Sequence, residues 1–327
     1  MKDEIDVELK EFTRKHQGKF ETFLGAQGGN SRIAQMSING RQYILKRYLG
    51  DDNRSKKSCS RERYALRVLQ HYGVNNAPEL IENLSSEKVN CMGYIKGTTP
   101  TSDIPTIRSM IEFQRTMIEV HLSLKERGEN IPLAVDAAFS SEEILTQVSE
   151  RLKGGAKQSE SNWILVAQSL ENLKSSRIHH LDDKVARITR VLSQSDIGRH
   201  NMLEGEDQRK YFIDFEFFGV DSPQKLIIDF LLHPQNTFNF SANEVFCSTL
   251  IDLYGLNVKS LTSWIPAISL KWATIMLRRM EILGKEGTED SRLSESRQRF
   301  ARYVELAGLN HSLGKDDLTQ VLRLIIN

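Results

Sequence analysis

Near Gly97-Thr98-Thr99-Pro100 the chain changes texture, and that change limits its architecture more than any other feature. Upstream, short runs alternate apolar and polar residues. Downstream, apolar positions recur at helical spacing over long stretches. Strands first and helices afterwards call for an α+β fold rather than repeated βα units. The expected division is 1–95 and 96–327, and 327 residues suffice for two such parts with real cores.

The upstream part reads as a small antiparallel sheet with one helix. QYILKRY (Gln42 to Tyr48) has the period of a strand, and AQMSI (Ala34 to Ile38) resembles its partner. Asn39-Gly40 between them predicts a tight hairpin turn, since both residues accept positive φ. GKFETFLGAQGGNSR before the hairpin reads as a further strand and a glycine-rich turn. RERYALRVLQHYG (Arg61 to Gly73) reads as a helix stopped by Gly73. Pro78 to Glu82 and Lys88 to Ile95 are expected as two more strands.

Downstream, helices are expected over Ile104 to Arg127, Glu142 to Leu152, Asn162 to Leu173, Gln224 to Leu232, Glu244 to Tyr254, Ser269 to Leu283, Ser291 to Leu306 and Leu318 to Ile326. Ser140 with Glu143 forms a capping box before the second of these. One hairpin-like segment is embedded among the helices: Asn201 to Leu203, the polar turn Glu204 to Gln208, then Tyr211 to Phe215.

Charge excludes some classes. Forty-four Lys plus Arg against 43 Asp plus Glu leave a net charge of +1, which does not suit a protein that coats nucleic acid. Cys59, Cys91 and Cys247 are odd in number and form no CxxC pair, so a reducing compartment is expected and a disulfide framework or zinc site is not. MKDEIDVELK lacks the apolar core of a signal peptide, and Leu261 to Leu277 is too polar to span a bilayer. A cytoplasmic protein with neither nucleic-acid nor membrane partners is expected; its oligomeric state stays open.

The embedded hairpin carries the chemistry. Asp196 lies five residues before Asn201, and Asp214 lies thirteen after it. A carboxylate, an amide and a second carboxylate at the two ends of a hairpin can converge on one point. Phosphoryl transfer needs such a set: one group for the acceptor hydroxyl, two oxygen donors for Mg2+ on the nucleotide phosphates.

The spacing resembles the kinase pattern of a catalytic-loop Asp, a metal-binding Asn and a downstream metal-binding Asp. The following elements, Asp214-Phe215-Glu216, Gly219-Val220-Asp221-Ser222-Pro223 and Asp229-Phe230, are similar to those of the aminoglycoside phosphotransferase and choline kinase family. Ser195-Asp196-Ile197-Gly198-Arg199-His200-Asn201 resembles the S-D-x-G-x-H-N loop of a bacterial subgroup. The resemblance implies a two-lobed, protein-kinase-like α+β fold. It also implies an enzyme that transfers the γ-phosphoryl group of ATP (or GTP) to a small-molecule hydroxyl with Mg2+. Asp196 would be the catalytic base, and Asn201 and Asp214 would hold the metal. Lys46, braced by Glu62, would contact the nucleotide phosphates under a turn that includes Gly28, Gly29, Asn30 and Ser31. Backbone groups near Met92 to Tyr94 would meet adenine.

Two departures stand beside the catalytic Asp. The family usually has His two residues before it and Gly just before it; here Gln194 and Ser195 occupy those places. Gln194 can replace part of the hydrogen bonding of the His. Asp221 and Asp229 read as structural, and Glu216 as either a second metal contact or a brace. Arg278-Arg279 and Arg292, Arg297, Arg299 and Arg302 could meet an anionic acceptor, although exposed helix faces explain them more simply. The absence of an APE-ended activation segment disfavours a protein kinase. The rival reading is a non-catalytic nucleotide-binding module with a regulatory or assembly role.

Overall fold

The Asn39-Gly40 turn forms as the dipeptide predicts, with φ of 50° and 81°, and sets the register of the sheet around it. The structure is a computed structural model that describes residues 2–24, 31–154, 161–176, 190–285, 291–309 and 317–326. In chain order its first elements are α1 (Lys2–Lys15), β1 (Lys19–Leu24), β2 (Ser31–Ile38), β3 (Arg41–Tyr48), α2 (Asp52–His71), β4 (Val89–Gly93) and β5 (Gly97–Thr98). Next come α3 (Ile104–Glu126), α4 (Ser141–Lys153), α5 (Ser161–Ser175), β6 (Val191–Ser193), β7 (Met202–Gly205), β8 (Lys210–Phe212) and β9 (Gly219–Asp221). The chain closes with α6 (Pro223–Leu232), α7 (Phe240–Tyr254), α8 (Val258–Thr262), α9 (Ile265–Lys285), α10 (Ser291–Ala307) and α11 (Leu318–Ile326).

These elements form two compact units, each drawn from three chain segments. The first comprises Met1–Thr101, Glu119–Val135 and Gln194–Gly219; the second comprises Ser102–Ile118, Asp136–Ser193 and Val220–Asn327.

In the first unit the sheet order is β1-β2-β3-β4, antiparallel throughout. Alternation on β2 and β3 turns Ala34, Met36, Tyr43 and Leu45 into one core with Val89 and Cys91 of β4. Leu9 of α1 completes that core and is fully buried, which contributes roughly 2 kcal/mol. The sequence reading did not anticipate α1. Its signal is the spacing of Ile5, Leu9 and Phe12, all packed on this cluster, within an otherwise charged segment. Asp6 pairs with Arg32 at 2.7 Å and Glu8 with Arg47 at 3.0 Å, tying the polar side of α1 to β2 and β3.

Two upstream expectations need correction. Helix α2 begins at Asp52 rather than Arg61: Asp51 caps it by accepting the Arg54 amide at 2.8 Å. Its buried stripe runs Ser55, Cys59, Glu62, Leu66, Leu69, so the first turns bury small and polar groups that give no apolar signal. Pro78 to Glu82 does not form a strand. It lies along β4 by a single bridge, Leu80 to Met92, then turns into a short 3-10 helix over Glu82–Leu84. Pro78 has no amide to extend the ladder.

The embedded hairpin exists as β7 and β8, with Met202 opposite Phe212. Strand β5 pairs with β7, with Gly97 opposite Gly205. A Cβ at Gly97 would stand 2.5 Å from the Glu204 carbonyl oxygen, so this pairing needs glycine.

The second unit is helical, apart from a ribbon of β6 with β9. Ser140 caps α4 as expected, accepting the Glu143 amide at 3.2 Å. Trp163, Trp264 and Met276 are buried.

Candidate active site

Lys46 lies on β3, opposite Ile33 of β2 and Asn90 of β4. Its ammonium group pairs with Glu62 Oε2 at 2.9 Å and with Asp214 Oδ1 at 2.7 Å. The lysine and Glu62 side chains are 4% and 1% exposed, whereas Asp214 is 37% exposed. Asp214 is thus the most exposed member of the trio, and Glu62 the most enclosed. Burial by itself would lower the Lys46 pKa. Glu62, Asp214 and Glu216 outweigh that and hold the ammonium above its ordinary value. Burial pushes the Glu62 carboxyl up, against the pull of Lys46 and the Phe215 amide.

Glu62 is fixed on both oxygens. Oε1 accepts the Phe215 amide at 2.9 Å, and Oε2 accepts the Tyr48 hydroxyl as well as Lys46. Asn90 Nδ2 donates to Tyr48 Oη at 2.9 Å, so the phenolic proton is free to point at Glu62. Arg63 Nε in turn donates to Asn90 Oδ1 at 3.0 Å. Tyr48, Asn90 and Glu62 are all buried. The sequence reading missed Tyr48 and Asn90. Tyr48 shares the Lys46 face of a period-two strand, and Asn90 is the polar residue in an otherwise apolar VNCM run; both signals were present.

Helix α2 also grips the segment after Asp214 through Arg61, which donates to Phe218 O at 2.9 Å and to Leu133 O. Residues 132–135 lie close against this segment: Val135 N donates to Phe217 O at 3.2 Å, and a Cβ at Gly219 would stand 2.6 Å from Pro132 O.

Asp196, Asn201 and Asp214 lie in the same unit as Lys46 and Glu62. The Ile213 amide donates to Asn201 O at 2.9 Å, which sets Asn201 beside the Asp214 segment. Asn201 Nδ2 donates to Asp196 O at 2.9 Å, leaving its oxygen as the side-chain acceptor. Asp196 Oδ1 stands 3.2 Å from His200 Nε2. Gln194 Nε2 donates to Ile213 O and, at 3.3 Å, to Asp214 O. It thereby binds the loop to the Asp214 segment, as expected of a replacement for His. Ser195 and Asp214 adopt positive φ, 71° and 67°, an unfavourable backbone for non-glycine residues held at both ends of the constellation.

Asp214 and the side-chain oxygen of Asn201 are both oxygen donors. That donor set suits a hard cation such as Mg2+. Ser31 stands at the start of β2, opposite Tyr48. Gly28, Gly29 and Asn30 lie outside the described residues. Met92 pairs with Ile44 inside the sheet; the Gly93 amide donates to Glu79 O at 2.8 Å and the Tyr94 amide to Gln42 O at 3.3 Å. Of the backbone groups expected to meet adenine, these two amides already have partners within the protein.

Asp221 and Asp229 belong to a buried network in the second unit. Lys225 pairs with both at 2.8 Å, and Trp272 Nε1 donates to Asp229 at 2.9 Å. Asp221 also accepts the Ala138 and Ser222 amides. These aspartates are structural, as the sequence reading holds.

No family model matches the chain, and no curated protein matches it in sequence. Solved structures do match in fold. The choline kinase LicA from Streptococcus pneumoniae superposes with a TM-score of 0.62 at 16% identity, over 93% of this chain and 99% of that one. A thermostable mutant of the aminoglycoside phosphotransferase APH(4)-Ia gives 0.60 at 16%, over 92% and 99%. A choline/ethanolamine kinase family protein from Mesorhizobium loti gives 0.56 at 15%, over 94% and 92%. The chain has the fold shared by choline kinase and the aminoglycoside phosphotransferases.

Proposed function

We propose that the protein is an ATP- or GTP-dependent small-molecule kinase that moves the γ-phosphoryl group to a hydroxyl of a sugar, polyol or related metabolite. The observation that carries this reading is Lys46 shared between the buried Glu62 and the exposed Asp214, beside a loop that presents Asp196 and Asn201. Ligands of the fold neighbours agree with it: LicA has been solved with AMP, and APH(4)-Ia with ADP and hygromycin B.

In this reading residues 1–95 hold the nucleotide phosphates, and residues 96–327 carry the catalytic loop and the acceptor pocket. Lys46 neutralises phosphate oxygens, and Glu62 keeps the ammonium aimed at them. Asp214 and Asn201 would hold Mg2+, which when bound offsets charge on the phosphates. Asp196 accepts a hydrogen bond from the acceptor hydroxyl and takes its proton as the oxygen attacks phosphorus. His200 and the Asn201 amide fix the orientation of the Asp196 residue. The transition state is loose, so positioning and charge neutralisation supply most of the acceleration. Among the described residues no helix is long and apolar enough to cross a membrane.

Asp196→Asn tests the reading. ADP release with a panel of sugars, polyols and amino alcohols should fall at least about a thousandfold, since general base catalysis and hydroxyl orientation are both lost. Titration with Mg·ATP should give an almost unchanged affinity. Undiminished turnover in this variant removes Asp196 from its role. Nucleotide binding by the wild type without turnover on any acceptor favours a binding module.

A further inference from the structure

Asp214 holds a backbone φ of 67°, a conformation that a non-glycine residue keeps only where its surroundings impose it. On its N-terminal side the constraint comes from Gln194, whose side-chain amide donates to the Ile213 and Asp214 carbonyls. On its C-terminal side the chain folds at once into a tight turn, with the Phe218 amide donating to Phe215 O at 3.0 Å. Helix α2 holds both ends of that turn with two consecutive residues. Glu62 Oε1 accepts the Phe215 amide at 2.9 Å, and Arg61 Nη1 donates to Phe218 O at 2.9 Å. Adjacent helix positions point about 100° apart, so the two side chains can reach opposite ends of one turn. All of these residues belong to the first unit.

Arg61 is unlike the other arginines of α2 in its partners. Arg63 donates to the Asn90 side chain and Arg67 pairs with Glu82, whereas both acceptors of Arg61 are main-chain carbonyls, Phe218 O and Leu133 O. A planar guanidinium fork that binds two carbonyls fixes geometry rather than cancelling a charge. Arg61 is half-buried, and burial lowers its pKa, so these two hydrogen bonds have to offset a loss of hydration. The Leu133 segment is itself tied to the turn, because Val135 N donates to Phe217 O at 3.2 Å. Phe215 and Phe218 are fully buried, with ring centroids 6.2 Å apart.

We propose that Arg61 is a positioning residue for Asp214: by holding Phe218 O and Leu133 O it fixes the turn from which the Asp214 carboxylate meets a divalent cation. This rests on the metal role given to Asp214 in the phosphotransferase reading. Glu62 serves Lys46 as well as the near end of the turn, whereas the Arg61 bonds go to the far end. Changing Arg61 therefore leaves the Lys46 pair in place and loosens the cation site.

The test uses the full chain in excess over ADP, with Mn2+ as the probe. Electron paramagnetic resonance reads the Mn2+ affinity, and calorimetry reads the affinity for ADP without metal. Arg61→Met should weaken Mn2+ binding about tenfold and change the metal-free ADP affinity less than about twofold. A residue that serves packing alone would lower stability without separating the two affinities. Arg61→Lys keeps one charged donor and should recover part of the loss; it also serves should Arg61→Met fail to fold. Asp214→Ala should lose at least as much, and adding Arg61→Met to it should weaken Mn2+ binding by less than about a further twofold, since one residue acts through the other. Amide exchange at Phe215 and Phe218 should quicken in Arg61→Met without metal or nucleotide. Unchanged Mn2+ affinity in Arg61→Met overturns the proposal, as does an additive loss in the double variant. If Asp214→Ala keeps its Mn2+ binding, the metal role of Asp214 is what fails, and the proposal falls with it.

Discussion

Tyr48 shows how one hydroxyl can hold a buried ion pair in place. It donates to the Glu62 oxygen that also receives Lys46, and Asn90 holds the phenol oxygen so that its proton has one useful direction. Tyr48→Phe should therefore loosen Glu62 and, through it, Lys46. The expected result is a several-fold higher KM for ATP with kcat less affected. Stability should fall by about 1–3 kcal/mol from the buried groups left unsatisfied. An unchanged KM in steady-state kinetics would limit Tyr48 to packing. Ser195 poses the opposite case, since its φ of 71° puts it in a region that favours glycine. Ser195→Gly should leave urea-monitored stability within about 0.5 kcal/mol, because relief of strain and loss of chain entropy nearly cancel. Ser195→Val should cost about 2 kcal/mol or more, because a branched Cβ tolerates this backbone poorly. A glycine would adopt this backbone without strain, and Ser195 adopts it at a cost.

Helices α6 and α9 meet through charge as well as through apolar packing. Lys225 sits between Asp221 and Asp229 and is held above its ordinary pKa, although burial opposes this. Lys271 of α9 is treated differently: burial, then the nearby Lys225, lower it to about 8, against the pull of Asp229 and Asp136, and Arg151 adds to the lowering. Asp136 Oδ2 lies 3.7 Å from its ammonium. The sign of the pH effect follows from proton counts. Between pH 8 and 10.5 the unfolded chain keeps the Lys271 proton and the native state releases it, so native stability gained from this group rises with pH. It is fully present above about 10.5 and lost as pH falls through about 8. Wild type should accordingly gain on Lys271→Met by up to about 3 kcal/mol across that window in urea titrations. Taking the difference between the two proteins cancels the buried thiols Cys59, Cys91 and Cys247, whose raised pKa values act in both. A constant difference across the window would mean that Lys271 titrates normally.

For the whole molecule, ligand linkage is the decisive property. A nucleotide held only by the native state stabilises by mass action, about 2.7 kcal/mol at one hundred times Kd. Mg·ATP should produce that shift in unfolding monitored by circular dichroism, and amide exchange should slow in β3, α2 and the Gln194–Gly219 segment. Lys46→Met should lose nearly all of the shift. It should also be less stable itself by about 3–5 kcal/mol, because Glu62 is left buried without its cation. Most of the helical elements and the Asn39-Gly40 hairpin were legible from the sequence, since periodicity and turn chemistry are local. So were Asp196, Asn201 and Asp214, whose spacing is itself a short-range pattern. The start of α2 was not, because its buried positions Ser55, Cys59 and Glu62 carry no apolar signal. Nor was α1, whose three apolar anchors have meaning only against a sheet formed later in the chain.

The sequence by itself determined which segments alternate, which coil, where the chain turns and which residue types could perform phosphoryl transfer. The tertiary structure alone decided that Lys46 meets Asp214 across 168 residues, that Tyr48 and Asn90 hold Glu62, and that Arg61 joins α2 to the turn after Asp214. The reason is physical: local order depends on neighbours along the chain, whereas the partner and charge state of a buried polar group depend on what distant segments bring to it once water has gone.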